Sequence, residues 1–287
     1  MKNEVANLKT IFIVGPTASG KSALAIGLAK MINAEIICAD SQTVRRYMNI
    51  GTAKPTAEDQ SMVPHHLIDV VDPYNDFSLA DFLRLAEESI RHIRSNGRNV
   101  IIVGGTGLYT DALYFNFELP AVSNEENSTE KNVELLHAEI FRRGLELPKN
   151  SQNPRHLVNV IKRNGQTGVA KSPSPESIII GINPGREKII ERINRRVDEM
   201  FENGFEDEVR AIINRFGPPK KDFDAIGYRI IYRYIMGEIS LEEAKEKFKI
   251  GDRQYARKQM SWYRRNGDIV WFSSPEEALH YILKKVT

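Results

Sequence analysis

At 287 residues, with 41% hydrophobic and 27% charged side chains, the chain has room for one large core, or one core with an insertion, and is composed like an ordinary globular protein. A single cysteine, Cys38, excludes an internal disulfide, and six histidines without ligand spacing argue against a zinc site. No apolar run reaches the ~18 residues of a membrane helix and Met1-Lys2-Asn3-Glu4 lacks a signal peptide's apolar core, so a cytoplasmic protein is expected; at a net charge of +2, nucleic-acid binding has to rest on local basic clusters.

The apolar run Ile11 to Val14 reads as a strand and leads into Gly15-Pro16-Thr17-Ala18-Ser19-Gly20-Lys21-Ser22, which fits G-x-x-x-x-G-K-[ST] without a gap. Strand, glycine loop and helix in that order make a phosphate cradle: backbone N–H groups turn inward, the helix from about Ser19 to Met31 offers its positive end, and Lys21 adds a charge. A second strand, Glu35 to Ala39, delivers Asp40 to its C-terminal end, where open parallel sheets bind ligands. Asp40 reads either as a proton acceptor for a nucleophile or as a cap on its own turn through Ser41, Gln42 and Thr43. Arg45 and Arg46 follow, and Pro55 marks Gly51 to Pro55 as a loop. The adjacent His65 and His66 read as packed turn residues, because neighbours in a regular element cannot face one metal.

Ser78 with Asp81 starts a helix that stops at Gly97. Val100 to Val103 is another buried strand, ending in Gly104-Gly105-Thr106-Gly107 where a motor or switch nucleotidase would carry a magnesium-binding carboxylate; Thr106 offers a hydroxyl to a phosphate oxygen, or else caps the next helix. From 116 to 177 the chain changes character: two polar connectors flank helical stretches at Asn132 to Arg143 and Arg155 to Lys162, a small helical insertion on a core formed by 1–115 and 178–287. The core resumes with the strand Ile178 to Ile182 and a helix from Arg186 to Asn203, in which Arg192 and Arg196 flank an apolar stripe as a solvated pair or as a reach into a site. Ser240 with Glu243 opens a further helix. In Asp252 to Arg265, Arg253, Arg257, Lys258, Arg264 and Arg265 oppose Tyr255, Ala256, Met260, Trp262 and Tyr263, a basic face suited to a polyanion, with Arg45, Arg46 and Lys54 as candidates to extend it.

Gly15 to Ser22, Ala39-Asp40-Ser41-Gln42-Thr43-Val44, Ile50 to Pro55, Pro64 to Asp69, Val103 to Tyr109, Gly227-Tyr228-Arg229 and Arg253 to Trp262, in this order and across nearly the whole chain, closely resemble the tRNA dimethylallyltransferases of the bacterial type. The resemblance implies an α/β fold with a parallel-sheet core of the P-loop nucleoside-triphosphate-hydrolase kind, flanked by helices. It implies transfer of a dimethylallyl group from its diphosphate to N6 of adenosine 37 beside the anticodon of tRNA, with Mg²⁺ as cofactor and a monomeric enzyme. On it, Gly15, Thr17, Ala18, Ser19, Gly20, Lys21, Ser22 and Arg229 hold the donor's diphosphate in place of ATP, and Ser22 also ligates Mg²⁺. Asp40 accepts the N6 proton and Thr106 bonds the leaving oxygen. Ser41, Gln42, Thr43, Arg155, His156, Asn159, Arg253, Arg257 and Lys258 touch the tRNA, whose target base is flipped out. The chain departs from the family pattern at Arg45 (Tyr expected), at Asn159 and Lys162 in the insertion, at Ile230 (Glu common) and at Asp252 (Thr usual), changes that bear on RNA grip. Rival readings are a prenyltransferase acting on free AMP, ADP or ATP, a P-loop nucleotide kinase, and an RNA-binding protein with a structural phosphate site.

Overall fold

The computed structural model describes residues 8–120, 132–219 and 223–286. In chain order the elements are β1 (Thr10–Val14), α1 (Lys21–Ile32), β2 (Ala34–Cys38), α2 (Ala57–Met62), β3 (His65–His66), α3 (Leu79–Ser95), β4 (Asn99–Val103), α4 (Gly107–Tyr114), α5 (Val133–Arg142) and α6 (Pro154–Lys162). There follow β5 (Ser177–Ile182), α7 (Arg186–Glu202), α8 (Phe205–Phe216), α9 (Ile226–Ile235), α10 (Leu241–Tyr263), β6 (Val270–Phe272) and α11 (Pro275–Val286).

Every pairing in the six-stranded sheet, β3-β2-β4-β1-β5-β6, is parallel. Parallel strands covered on both faces are apolar throughout, without alternation; β1 and β2 are buried at every position. Ile11, Ile13, Ile36 and Ile101 pack with Leu24 and Leu28 of α1 and Ile282 of α11. Each such side chain removed from water contributes about 1.5–3 kcal/mol, set against the entropy of ordering it. The chain leaves β1 for β2, on the far side of β4, and later returns to β5 on β1's other flank. Strand order therefore reverses beside β1, and the crevice at the C-terminal ends of β1 and β4 is where such sheets bind ligands. A second apolar cluster joins α7, α8, α9 and α10 through Ile193, Val197, Phe205, Tyr228 and Phe248.

Several local expectations meet a different structure. His65 and His66 form a short edge strand paired with Ile36 and Ile37, not a turn. Ser240 accepts from Glu243 N–H, and the helix it caps runs unbroken through Gly251 to Tyr263, so Arg264 and Arg265 lie just beyond its end. Ser78 and Asp81 do form the reciprocal cap of α3. Arg45 and Lys54 are buried rather than part of a basic surface: Arg45 Nη1 donates to the carbonyls of Pro73 and Asn75 at 2.7 and 2.9 Å, and Lys54 Nζ donates to Arg45 O and to Asp69 at 2.7 and 2.6 Å. Irregular backbone leaves carbonyls without ladder partners, and these long donors satisfy them. Arg46 stays exposed but pairs with Asp72.

The chain divides into two compact units, Met1–Tyr114 with Ser174–Thr287, and Phe115–Pro173. The second has its own small core of Leu136, Ile140, Leu157 and Ile161 from α5 and α6, with Asn132 capping α5. No helix among the described residues is long and apolar enough to cross a membrane.

Candidate active site

Three strand-end loops meet at the C-terminal edge of the sheet. The loop after β1 takes left-handed backbone at Ala18 (φ 62°) and Gly20 (φ 97°), and the first turn of α1 leaves the N–H groups of Lys21, Ser22 and Ala23 without intrahelical acceptors. The loops after β2 and β4 are tied by Ala39 N–H to Val103 O at 2.8 Å and Thr106 N–H to Ala39 O at 3.3 Å. They pass so closely that a Cβ on Gly104 would fall 2.0 Å from Ala39 O, which fixes glycine there.

A cavity of about 190 Å³ opens between them. Its polar end is Thr17, Ala18, Ser19, Gly20, Lys21, Ser22, Asp40 and Arg196; Ile36, Cys38, Ala53, Pro55 and Val103 supply apolar wall. Burial drives the Lys21 pKa down to about 8, with Asp40 opposing. Burial pushes the Cys38 thiol up to about 12, so it lines the cavity as a neutral, inert group. His65 reaches the same cavity; its Nδ1 faces Val63 O at 2.8 Å, which places the proton there and leaves Nε2 bare, and burial holds the ring below its ordinary pKa.

The two oxygens of Asp40 are placed differently. One oxygen, Oδ1, accepts from Gln42 N–H at 2.8 Å and fixes the turn, while Oδ2 accepts no hydrogen bond among the described residues and remains for a ligand proton. Thr106 Oγ1 accepts from Ser41 N–H at 3.0 Å, donates to Ser41 Oγ over a long 3.4 Å, and lies beside the Tyr255 hydroxyl. That donation is long enough for the proton to turn to a ligand oxygen instead, although the side chain does not line the cavity itself. At the start of α4 it is the Thr106 carbonyl that accepts, from the N–H groups of Tyr109 and Thr110, while its side-chain oxygen is turned to Ser41.

Gly15 does not line the cavity either: a Cβ there would come within 2.5 Å of Ile182 O, so it lets the loop pass β5. Thr17 N–H points to Gln259 Oε1 at 2.8 Å, leaving the residue to face the cavity without that donor. Arg229 sits on the exposed face of α9 and is not among the lining residues. Its neighbour Tyr228 is buried, with its hydroxyl on Glu208, whose carboxylate gathers the N–H groups of Asn49, Ile50 and Gly51 and so shapes the Thr52–Pro55 wall. Ile230, beside it, packs into the apolar cluster of α7 to α10.

The two arginines of α7, left open between solvent and site, both face the loop. Arg192 Nη1 donates to Ser19 O at 3.2 Å, and Arg196 lines the cavity while Nη2 meets Asp252 Oδ2 at 2.5 Å. Burial raises the Asp252 pKa, and Arg196 opposes the shift. Asp252, Tyr255 and Gln259 of α10 were not foreseen as site-facing. Their i, i+3 and i+7 spacing, which puts all three on one helix face, is the available signal.

Of the residues assigned to RNA, Thr43 is buried and lines the cavity. Ser41 and Gln42 flank Asp40, and Gln42 Oε1 is buried without a protein partner. Arg257 and Lys258 are exposed, whereas Arg253 is part-buried against Asn194 Oδ1 at 2.6 Å. In the other unit His156 and Asn159 are exposed on α6, and the side chain of Arg155 lies outside the described residues.

The family model described as IPP transferase matches residues 43–266. The tRNA dimethylallyltransferase of Halalkalibacterium halodurans is 38% identical over 284 residues, 92% of this chain and 90% of its own. That of Caldanaerobacter subterraneus is 36% identical over 291 residues, 92% of this chain and 91% of its own. Among solved structures, the full-length tRNA isopentenylpyrophosphate transferase of Bacillus halodurans matches with a TM-score of 0.74 at 35% identity, covering 97% of this chain and 96% of that one. A eukaryotic dimethylallyltransferase acting on tRNA shares the fold, with a TM-score of 0.75 at 24% identity over 92% of this chain and 73% of that one.

Proposed function

The chain belongs to the IPP transferase family, and from that premise we propose that it transfers the dimethylallyl group of dimethylallyl diphosphate to N6 of adenosine 37, next to the anticodon of tRNA, with release of diphosphate. The observation that carries the reading is the convergence of a phosphate loop, an unpaired carboxylate oxygen on Asp40 and the Thr106 hydroxyl around one crevice.

In that reaction the N6 lone pair attacks C1 of the prenyl group, the C1–O bond breaks, and its electron pair leaves with the diphosphate. Negative charge grows on the leaving oxygens, where the N–H groups of Gly20, Lys21 and Ser22, the Lys21 ammonium and Arg196 stand preorganised. Thr106 donates to the oxygen that leaves C1. Asp40 Oδ2 takes the proton that N6 sheds, while its bond to Gln42 N–H keeps the carboxylate aimed. The apolar wall of Ile36, Cys38, Ala53 and Val103 suits the prenyl chain and keeps water from C1. Gln42 Oε1, an acceptor without a protein partner, suits an exocyclic amine of the flipped base.

Mg²⁺ fits this site as an ion carried mainly by substrate phosphates and water, with the Ser22 hydroxyl as its protein ligand: the described residues contain no cluster of three acidic, His or Cys ligands. When bound it neutralises the leaving diphosphate. Arg257 and Lys258 on α10, with Arg253, and Arg155, His156 and Asn159 on α6 are the proposed tRNA contacts. Such an enzyme acts where tRNA is used, in the cytoplasm, and needs no second subunit.

The test compares acceptors. With dimethylallyl diphosphate and Mg²⁺, unmodified tRNA is expected to release diphosphate far faster than AMP does, and ATP is expected to be untouched. Equal or faster reaction with AMP, or phosphoryl transfer from ATP, overturns the reading.

A further inference from the structure

Gln259 lies in the middle of α10, 5% exposed, and its amide spans the two loops on which the proposed reaction depends. Oε1 accepts from Thr17 N–H in the phosphate loop at 2.8 Å. Nε2 donates to Gly105 O, one residue before Thr106, at 2.9 Å. The fit admits no slack, since a Cβ on Gly105 would lie 2.3 Å from Nε2. One turn earlier on the same helix, the Tyr255 hydroxyl lies beside Thr106 and Gln259, and one turn later Tyr263 donates to Gly104 O at 3.2 Å.

We propose that Gln259 is a positioning residue that sets the distance between the phosphate loop and Thr106, and so decides whether C1 of the donor is presented to the acceptor amine or to water. The inference rests on the prenyl-transfer reading above. A diphosphate is held by the first loop and its ester oxygen by Thr106 at the second, so the direction of the breaking C1–O bond follows from how far apart the loops stand. An in-line attack tolerates little misalignment; a displacement of about 1 Å can cost on the order of 10²-fold in rate. A primary amide alone among side chains of this length accepts on one side and donates on the other, which this bridge requires. When alignment slackens, water competes: its oxygen attacks C1, the C1–O bond breaks, diphosphate leaves with the electron pair, and the water's proton passes to solvent, giving dimethylallyl alcohol.

The experiment measures, for wild type, Gln259→Met and Tyr255→Phe, the rate of tRNA prenylation, the KM for donor, and the ratio of dimethylallyl alcohol to prenylated adenosine. Methionine keeps the length and volume of glutamine and removes both hydrogen bonds without adding charge. For Gln259→Met the expected result is a kcat about tenfold lower or more, a donor KM within about threefold of wild type, and an alcohol-to-product ratio raised severalfold. Tyr255→Phe, which keeps the packing, is expected to move the ratio the same way but less, and decides the matter if Gln259→Met does not fold. An unchanged ratio in a folded variant, with activity falling only in step with the amount of folded protein, overturns the proposal. Wild-type protein that prenylates no tRNA defeats the underlying reading instead, before any variant is compared.

Discussion

Arg196 divides its guanidinium between the phosphate cavity and Asp252, and replacing Asp252 by Asn separates those two attachments. The wild-type pair meets at 2.5 Å. Breaking a fully buried ion pair costs about 3–5 kcal/mol, because the surviving charge is left uncompensated. Arg196 retains 24% of its side-chain exposure and Asp252 11%, so solvent screens part of that, and a loss of about 1–2 kcal/mol is expected for Asp252→Asn. In a chain of this length that lowers the unfolding temperature by ~2–3 °C. Diphosphate supplies the anion the variant lacks. Adding inorganic diphosphate with Mg²⁺ should therefore raise the variant's unfolding temperature by more than it raises that of wild type, and calorimetry should show diphosphate binding about three- to tenfold tighter, the equivalent of ~0.7–1.4 kcal/mol. Equal or smaller stabilisation of Asp252→Asn by diphosphate would refute the claim that Arg196 faces the phosphate.

Asp40→Asn keeps the bond from Gln42 N–H but cannot take the N6 proton; steady-state kinetics should show turnover reduced ~10²–10⁴-fold, with donor binding nearly intact, and near-normal turnover removes Asp40 from the mechanism. Burial holds the Lys21 pKa at about 8 in the free protein, and it is the protonated form that attracts diphosphate. Donor affinity is therefore full below that pH and falls above it by up to about tenfold per unit. A pH profile of donor KM should show this limb in wild type and lack it in Lys21→Met; a wild-type KM that stays constant from pH ~7 to ~9.5 contradicts the assignment. Arg257→Ala with Lys258→Ala should weaken tRNA binding and flatten the plot of log affinity against log salt by up to about one unit per lost phosphate contact, with donor affinity unchanged. Normal tRNA binding by the double variant at moderate salt takes this face of α10 out of the interface.

The phosphate loop and the buried strands were readable because each is a contiguous local pattern: Ile11 to Val14, Ile36 to Cys38 and Val100 to Val103 are apolar runs of strand length, and Ser78 with Asp81 caps α3 from three residues away. Asp40 and Thr106 were reachable for the same reason, each following the end of such a run. The groups that complete the site come from far along the chain. Gln259 is 242 positions from Thr17, and nothing local distinguishes an amide that bridges two loops from one that faces water. Arg192 and Arg196 present the same i, i+4 basic pair whether it meets solvent or the carbonyl of Ser19. Arg45 and Lys54 misled for the converse reason: a basic side chain in a loop suggests surface, yet here the carbonyls of irregular backbone draw both inward. Arg229 is read from its motif alone; it stands on the exposed face of α9, while Tyr228, one position earlier, turns toward Glu208.

The most direct measurement is position-resolved mass spectrometry of an unmodified tRNA after incubation with the protein, dimethylallyl diphosphate and Mg²⁺. The account predicts one dimethylallyl group per tRNA, on N6 of adenosine 37, matched by one diphosphate released, and no such product with Asp40→Asn over the same interval. Diphosphate released without a modified base, or prenyl groups found at other adenosines as often as at position 37, would contradict it.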